Sequence, residues 1–580
     1  MSNLYFSVER NIQIIQKLLK EHGIKKIIAS PGATDMSIVN SLANDSWFEM
    51  YSEVDERGAA YLACGMASES GEPVVIICTG ATSSRNYMPG LTEAYYRKLP
   101  VLAITCSRDN NLIGHNVDQS TDRTKLPNDV AQVSVQIQVI DTSEDEWDVM
   151  IKVNKALLGL TRNGGGPCHI NLCTQRIPDF SVKELPNVRV INRYNLEDSL
   201  PVIPKGTVGI FVGAHEKWNE DLTNVVDKFC SIYDACVFCD QTSNYKGKYR
   251  VLFPLINDQY GADKGAATID TLIHIGHIST CVFTGKHIWR VNEDGEIRDT
   301  FKRMNNVFQM SELAFFKAYT EGLSTGHKDS LLKSYKKKYN DLLAGIPELP
   351  LSNIWVAQQL AEKLPEKAVL HLGIRNSLRS WNYFETPKSV LGYCNTGGFG
   401  IDGGISSMLG ASFVSPNKLF FGVFGDLLFF YDMNSIGNRH IKSNVRILVI
   451  NNGLGQEFKN YCFGGSKLGD IINVYTAAEG HFGHKSPNVI KAYSEALGFE
   501  YLSADSKESF LAIYKRFITP DKTEKPMLFE IFTNSEDESE AFEKITIQGK
   551  KALFKNKINQ IKNKPEVNIV KNVIKSVIKK

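Results

Sequence analysis

The stretch "FGDLLFFYDMNSIGNRHIKSNVRILVINNGLGQEF", residues 424–458, carries two short polar pairs. Gly425-Asp426 follows the apolar run "LFFGVF", and Asn451-Asn452 follows "RILVI". Short apolar runs that end in turn residues read as buried strands. In open parallel sheets, ligands gather outside the carboxyl ends of the strands. The segment "YDMNSIGNRHIK", residues 431–442, is expected to form the crossover helix between the two strands. Adjacent strand ends would then present the Asp426 carboxylate and the Asn452 amide oxygen side by side. Hard oxygen donors suit Mg²⁺ or Ca²⁺, and phosphate oxygens and water usually complete the shell of Mg²⁺. Gly425, Gly453 and Gly455 allow a phosphate to approach the backbone. The pattern points to a metal-bridged diphosphate site. The competing reading makes both pairs ordinary turn residues.

The rest of the chain repeats the alternation of apolar runs with amphipathic segments, which argues for an α/β protein with parallel sheets. The expected strands of the first third are "KKIIAS", "PVVIICT", "PVLAITC" and "CHINLC". Helical stretches such as "VERNIQIIQKLLKEHG" and "RGAAYLACGMASESG" separate them, each ending at a glycine as a C-terminal cap would. The fold expected is three doubly wound parallel-sheet domains with a basic C-terminal amphipathic tail. The boundaries are 1–180, a proline-rich linker at 181–205, a central α/β domain at 206–350, a third domain at 351–548 and the tail at 549–580. Three blocks of similar size suggest an old triplication, although no internal repeat is readable.

A length of 580 residues exceeds one core. The net charge of +2 gives no reason to expect nucleic acid as a partner. No apolar run reaches membrane-spanning length. The N-terminus lacks the basic and apolar regions of a signal peptide, and the eleven cysteines are scattered, so a cytoplasmic protein is expected. Cys236 and Cys239 form a lone CxxC with no further zinc ligands nearby, so both read as structural. From Lys550 to Lys580 there are ten lysines and one glutamate. Val570, Val573, Ile574, Val577 and Ile578 fall at helical spacing there. Such a helix suits peripheral contact with the inner face of a membrane. The alternatives are a helix docked on the protein and a disordered tail.

Upstream, "EVDERGAAYLACGMA" places Glu56 at the start of a helix of small residues. Alone, that carboxylate reads as a cap. Taken together with the Asp426 and Asn452 motifs, it resembles thiamine diphosphate enzymes. The motifs "IIASPGATD", "VDERGAAYLACGMA", "VVIICTGATSSRNYMPGLTEA", "LAITCSRD", "NVDQSTD", "NTGGFGIDGGISSMLGA", "GDLLFFYDMNSIG" and "NNGLGQEF" resemble the SEPHCHC synthase branch of that family, in order, across nearly the whole chain. The central domain matches most weakly.

The resemblance implies a pyrimidine-binding first domain, a diphosphate-binding third domain, and thiamine diphosphate with Mg²⁺ as cofactors. It implies Asp426, Asn452 and the carbonyl of Leu454 as metal ligands. It implies Glu56 as the activating glutamate and Gly425, Leu427, Ile401 and Gln456 as cofactor contacts, Ile401 wedging the cofactor into a bent shape. Gln119 matches a catalytic glutamine. Arg108, Ser377 and Phe458 match substrate-pocket residues. A homodimer or homotetramer follows, because in the family the glutamate and the metal site usually come from different subunits.

Departures fall at the substrate end. Where the synthases carry arginines, this chain has Thr34, Thr396 and Trp381, with Arg379 close to the last. Where they carry an apolar residue, it has Glu457. Arginine grips carboxylates in a bidentate way, so these losses argue against a polyanionic substrate pair. Glu457 reads either as a proton-transfer group or as a charge that tunes the pocket. The expected function is a decarboxylating carboligase that takes a 2-oxo acid donor and an acceptor. A simple 2-oxo acid decarboxylase or an acetolactate-synthase-like enzyme is the alternative, and a silent membrane-recruited scaffold is the alternative of another class. His481 and His484 read as residues of a surface loop.

Overall fold

The computed structural model describes residues 5–124, 126–259, 268–279, 281–326, 328–480 and 488–548. His481, His484 and the basic tail lie outside these residues. The chain divides into two compact units, Met1–Leu200 with Asn292–Met310, and Pro201–Val291 with Ser311–Lys580.

The first unit is built on a six-stranded parallel sheet. Its order across the sheet is Glu49–Ser52, Lys26–Ala29, Val74–Thr79, Val101–Ser107, Cys168–Cys173 and Val133–Ile137. Helices cover both faces, so the inner strands are buried, with apolar runs such as Val74–Cys78 and Val101–Ile104, while Thr105, His169 and Asn171 are buried polar residues among them. Helix Glu56–Ser70 ends where Gly71 takes φ +69°, the left-handed cap expected from its sequence. Residues read as a linker include the strand Asn192–Asn195, which pairs in parallel with Met304–Gln309.

The second unit holds two further parallel sheets. One runs Arg250–Leu252, Cys236–Cys239, Val208–Val212, Thr268–Ile275 and Thr284–Val291. Cys236 and Cys239 lie inside one of its buried strands as free thiols, the structural role expected of them. The other runs Leu391–Tyr393, Val369–Leu372, Phe420–Gly425, Val445–Asn451, Met527–Phe532 and Glu500–Ala504. Numbered along the chain, its strands lie in the order 2-1-3-4-6-5, the same winding as the sheet of the first unit. The five central-sheet strands of this unit, numbered among themselves, lie in the order 3-2-1-4-5 instead. Two of the three blocks thus share a winding that the third does not.

One local expectation changes. The crossover helix does not occupy 431–442. The strand Phe420–Gly425 runs straight into helix Asp426–Asp432, followed by a 3-10 turn over Met433–Gly437. Leu428, Phe429 and Phe430 are buried, so apolar packing favours an early start. Gly437 and Asn438 are poor helix formers and end it. No helix among the described residues is long and apolar enough to cross a membrane.

In the first unit, helix Glu56–Ser70 packs closely on helix Met88–Arg97. A Cβ on Gly90 would lie 2.5 Å from the Cβ of Ala60 and 2.9 Å from its carbonyl carbon. Gly90→Ala, which ordinarily favours a helix interior, is therefore expected to destabilise the protein by about 1–3 kcal/mol. Gly65→Ala, which faces open space, is expected to be neutral or slightly stabilising. Urea denaturation reads both. An unchanged or raised midpoint for Gly90→Ala would overturn the close-packing account.

Candidate active site

The third sheet sets Asp426 and Asn452 just past adjacent central strands, with Gly425 opposite Ile450 in the register. Asp426 Oδ2 accepts a hydrogen bond from the Gly453 N–H at 2.9 Å, and Asn452 Oδ1 accepts from the Leu454 N–H at 3.3 Å. Gly453 makes this turn at φ +80°, a conformation that favours glycine. Asp426 and Asn452 are 5% and 6% exposed. Burial pushes the Asp426 carboxyl up to about 7, although the N–H groups of Leu427 and Gly453 oppose the shift. A carboxylate in that position is relieved by a cation.

The donor set fits Mg²⁺. Among the described residues no three or more His, Cys, Asp or Glu gather as a metal site. One carboxylate, one amide oxygen and a neighbouring backbone carbonyl leave the remaining positions to phosphate and water, as Mg²⁺ prefers. These residues open on a cavity of about 400 Å³. A Cβ on Gly425 would meet nothing within 4 Å, so the backbone there faces open space. Gln456 and Asn353 line the same cavity, and their buried Oε1 and Oδ1 have no hydrogen-bond partner among the described residues. Such atoms suit a polar ligand.

A layer of buried acids lies behind the cavity. Glu538 Oε1 accepts from the Asn353 N–H and the Thr533 hydroxyl, both at 2.9 Å. Asn353 Nδ2 donates in turn to Ser377 Oγ at 3.2 Å. Glu530 accepts from Asn451 Nδ2 and the Tyr501 hydroxyl, both at 2.7 Å. Burial pushes Glu538 and Glu530 up to about 7 each.

Another part of the cavity wall is organised around Glu457. Arg379 donates from both terminal nitrogens to its two oxygens, each at 2.8 Å. Arg375 stands further off, with Nη1 3.9 Å from Glu457 Oε1 and a side chain 54% exposed. Its guanidinium lies 5.0 Å over the Phe399 ring, and its backbone takes φ +67°, ψ −108°, a region costly for a residue with a side chain. Ile401, Leu427, Ser377 and Phe458 line this cavity with it. Thr396 is not among the lining residues. It is buried, and its N–H donates to Cys394 O at 2.8 Å. Trp381 is buried, and its indole N–H has no partner among the described residues.

In the first unit, Glu56 opens its helix after the cap residue Asp55. Burial alone would raise its carboxyl. Hydrogen bonds from Asn86 (3.1 Å), Ser83 and its own backbone outweigh that and hold it below the usual range. Arg108 clamps Asp118 with two hydrogen bonds of 2.8 and 3.1 Å. Gln119 follows that clamp, exposed and at φ +58°. Thr34 is buried, and its hydroxyl donates to Cys106 O at 2.7 Å and sits against the Thr79 hydroxyl.

Sequence reasoning passed over Arg375, Glu530 and Glu538. Arg375 could have been noticed as a second arginine in "GIRNSLRSW", four residues before Arg379. The two glutamates sit in stretches that read as an ordinary strand and helix, with no local signal.

Residues 11–126 match the family described as thiamine pyrophosphate enzyme, N-terminal TPP binding domain. The chain is 29% identical over 561 residues to the 2-succinyl-5-enolpyruvyl-6-hydroxy-3-cyclohexene-1-carboxylate synthase of Bacteroides thetaiotaomicron, covering 91% of this chain and 97% of that protein. The synthase of the same name from Phocaeicola vulgatus is 29% identical, over 92% of this chain and 97% of its own length. That of Christiangramia forsetii is 27% identical, over 88% and 93%.

Glu538 sets a pH dependence. Its carboxyl rises in the fold from an ordinary 4.5 to about 7, so the folded state holds a proton that the unfolded state has lost in between. Stability is therefore expected to fall as pH rises from about 4.5 through about 7, on the order of 3 kcal/mol from this group. Glu538→Gln should flatten that fall in urea denaturation at pH 5 and pH 8. The same slope in variant and parent would remove Glu538 as its source.

Proposed function

We propose that this chain, a thiamine diphosphate-dependent enzyme and a divergent relative of the synthases just described, is a decarboxylating carboligase for a 2-oxo acid donor with a single carboxylate. The donor's acyl group passes to an acceptor with formation of a carbon–carbon bond. The observation that carries this reading is the meeting of Asp426 and Asn452 at one cavity with Arg375, the one cationic side chain among its described lining residues.

When bound, thiamine diphosphate supplies a carbon nucleophile that adds to the 2-oxo group and allows CO₂ to leave. Asp426, Asn452 and the carbonyl of Leu454 would hold Mg²⁺. Gly425, Leu427 and Gln456 would face the diphosphate, and Ile401 the ring system. Glu56 would accept a hydrogen bond from the pyrimidine, and its contacts with Asn86 and Ser83 keep it ionised for that purpose. Arg375 binds and orients the donor carboxylate. Phe399 and Phe458 exclude water beside it. Glu457, held by Arg379, sets the charge of the pocket and is not assigned a proton transfer. Ser377 is positioned through Asn353. Thr34, Arg108, Gln119 and Thr396 join the substrate end on resemblance alone.

The same reading carries the domain division 1–180, 206–350 and 351–548 and an assembly of two or four chains. Tyr51, Val54, Tyr61 and Leu62 support the assembly. They are 47%, 74%, 48% and 48% exposed, an apolar surface flanking Glu56 that a second copy would cover.

The test is consumption of a 2-oxo acid panel, including pyruvate and 2-oxoglutarate, with thiamine diphosphate and Mg²⁺. A monocarboxylate is expected to be consumed, and Glu56→Gln to lower turnover by about 100-fold or more. Failure of every acid with every acceptor tried, despite bound cofactor, would defeat the carboligase reading. Arg375→Gln is expected to raise the donor KM about tenfold with a smaller change in kcat, the loss of one charge-assisted hydrogen bond. An unchanged KM would place the carboxylate elsewhere. Free aldehyde as the sole product would favour a simple decarboxylase.

A further inference from the structure

The second unit has another cavity, of about 400 Å³, beside the carboxyl ends of the central strands Val208–Val212 and Cys236–Cys239. Loops leaving those strands contribute Lys217, Trp218 and Lys246 to its wall. Lys367, Lys388 and Lys418 close it from the neighbouring sheet. Strand ends of this kind are where open parallel sheets bind ligands.

The charge of this wall is one-sided. Five of its residues are lysines, and none is an aspartate or glutamate. Among the described residues, none of the five ammonium groups is in an ion pair. Two carboxylates close to the wall, Glu385 and Glu366, have other partners. Both oxygens of Glu385 lie 3.1 Å from Arg250 Nε, and Glu366 takes the Ser389 hydroxyl. Lys246 is the innermost of the five. Its Nζ donates to Thr386 Oγ1 at 3.0 Å, which leaves two of its three donors unused. Burial first, and Arg250 second, push it down to about 7 against the pull of the Glu385 carboxylate, so a further anion beside it would favour its charged form. Trp218 is fixed as a flat wall. Its indole N–H donates to Ser243 O at 2.9 Å, and its ring lies 4.9 Å from both His215 and Tyr245.

Four exposed ammonium groups outside any ion pair among the described residues, with the Lys246 amine beneath them, exceed what one carboxylate can neutralise. We propose that this cavity binds a small anion bearing two or more phosphate groups, with Lys246 at its base and Lys217, Lys367, Lys388 and Lys418 around its rim. The shared chemistry is the phosphate chain, whether the ligand is a nucleoside diphosphate or a simple polyphosphate. A base stacked on Trp218 would distinguish the two. This site is separate from the cavity of Asp426 and stands independently of the reaction assigned there.

The test is calorimetric titration of the full chain, saturated with thiamine diphosphate and excess Mg²⁺ so that the first cavity is filled. ADP and inorganic tripolyphosphate are the probes. Both are expected to bind, more weakly as salt is raised, and about tenfold or more weakly to Lys246→Gln. Lys388→Glu combined with Lys418→Glu changes only exposed side chains and should show the same loss, which keeps the test decisive where Lys246→Gln fails to fold. Cofactor affinity should be unchanged in both variants. Tighter binding of ADP than of tripolyphosphate would add the aromatic wall to the site. No binding of either probe, or equal binding to parent and variants, would overturn the proposal. The lysine variants report on this cavity whether or not the cofactor reading survives.

Discussion

The carboxylate of Asp426 is almost wholly buried at the end of a central strand, where its charge is met by the N–H groups of Leu427, Gly453 and its own residue. An uncompensated buried carboxylate costs several kcal/mol, and hydrogen bonds from Leu427 and Gly453 offset only part of that. Glu530 adds repulsion from behind. The rest of the site answers this constraint. Asn452 brings a second oxygen to the same edge because its strand is the sheet neighbour, and the Gly453 turn folds the chain back over both. A cation that also binds phosphate relieves the charge and joins the protein to an anionic cofactor in one step.

At the other end of the cavity the balance runs the opposite way. Arg379 and Glu457 hold each other through two hydrogen bonds, while Arg375 stands at a looser 3.9 Å from the same carboxylate. Its backbone stands in a costly conformation, and the stack on Phe399 holds the guanidinium in place. Strain of this kind persists where surrounding contacts over-determine the geometry, and it gathers at functional sites. Under the function proposed above, one loosely paired arginine and aromatic walls would suit a substrate with one carboxylate and an apolar remainder.

Much of this was legible in the sequence, and the part that was not has a common cause. Buried parallel strands announce themselves as apolar runs, so Val74–Thr79, Val101–Ser107 and Val445–Asn451 fall where the runs predict. Asp426 and Asn452 are legible because each directly follows such a run. The crossover helix was misplaced because "LLFF" continues the apolar pattern of the strand before it, and only packing shows where strand gives way to helix. The Arg379–Glu457 pair joins residues 78 positions apart. Glu538 reaches the N–H of Asn353 across 185 positions. The lysines of the second cavity are spread between Lys217 and Lys418 and form no run. Local pattern reports periodicity and punctuation. It does not report which side chains meet once sheets are layered.

The ion pair between Arg379 and Glu457 also bears on ancestry. Losing Glu457 takes two hydrogen bonds from the Arg379 guanidinium, and losing Arg379 leaves Glu457 only the looser contact with Arg375 at 3.9 Å; breaking a buried pair of this kind costs up to about 3–5 kcal/mol. An intermediate with one charge is therefore disfavoured from either direction. The two positions are expected to change together across a lineage or not at all. That coupling makes the pocket slow to drift between substrate classes, and it would divide descendants into groups with few forms between them.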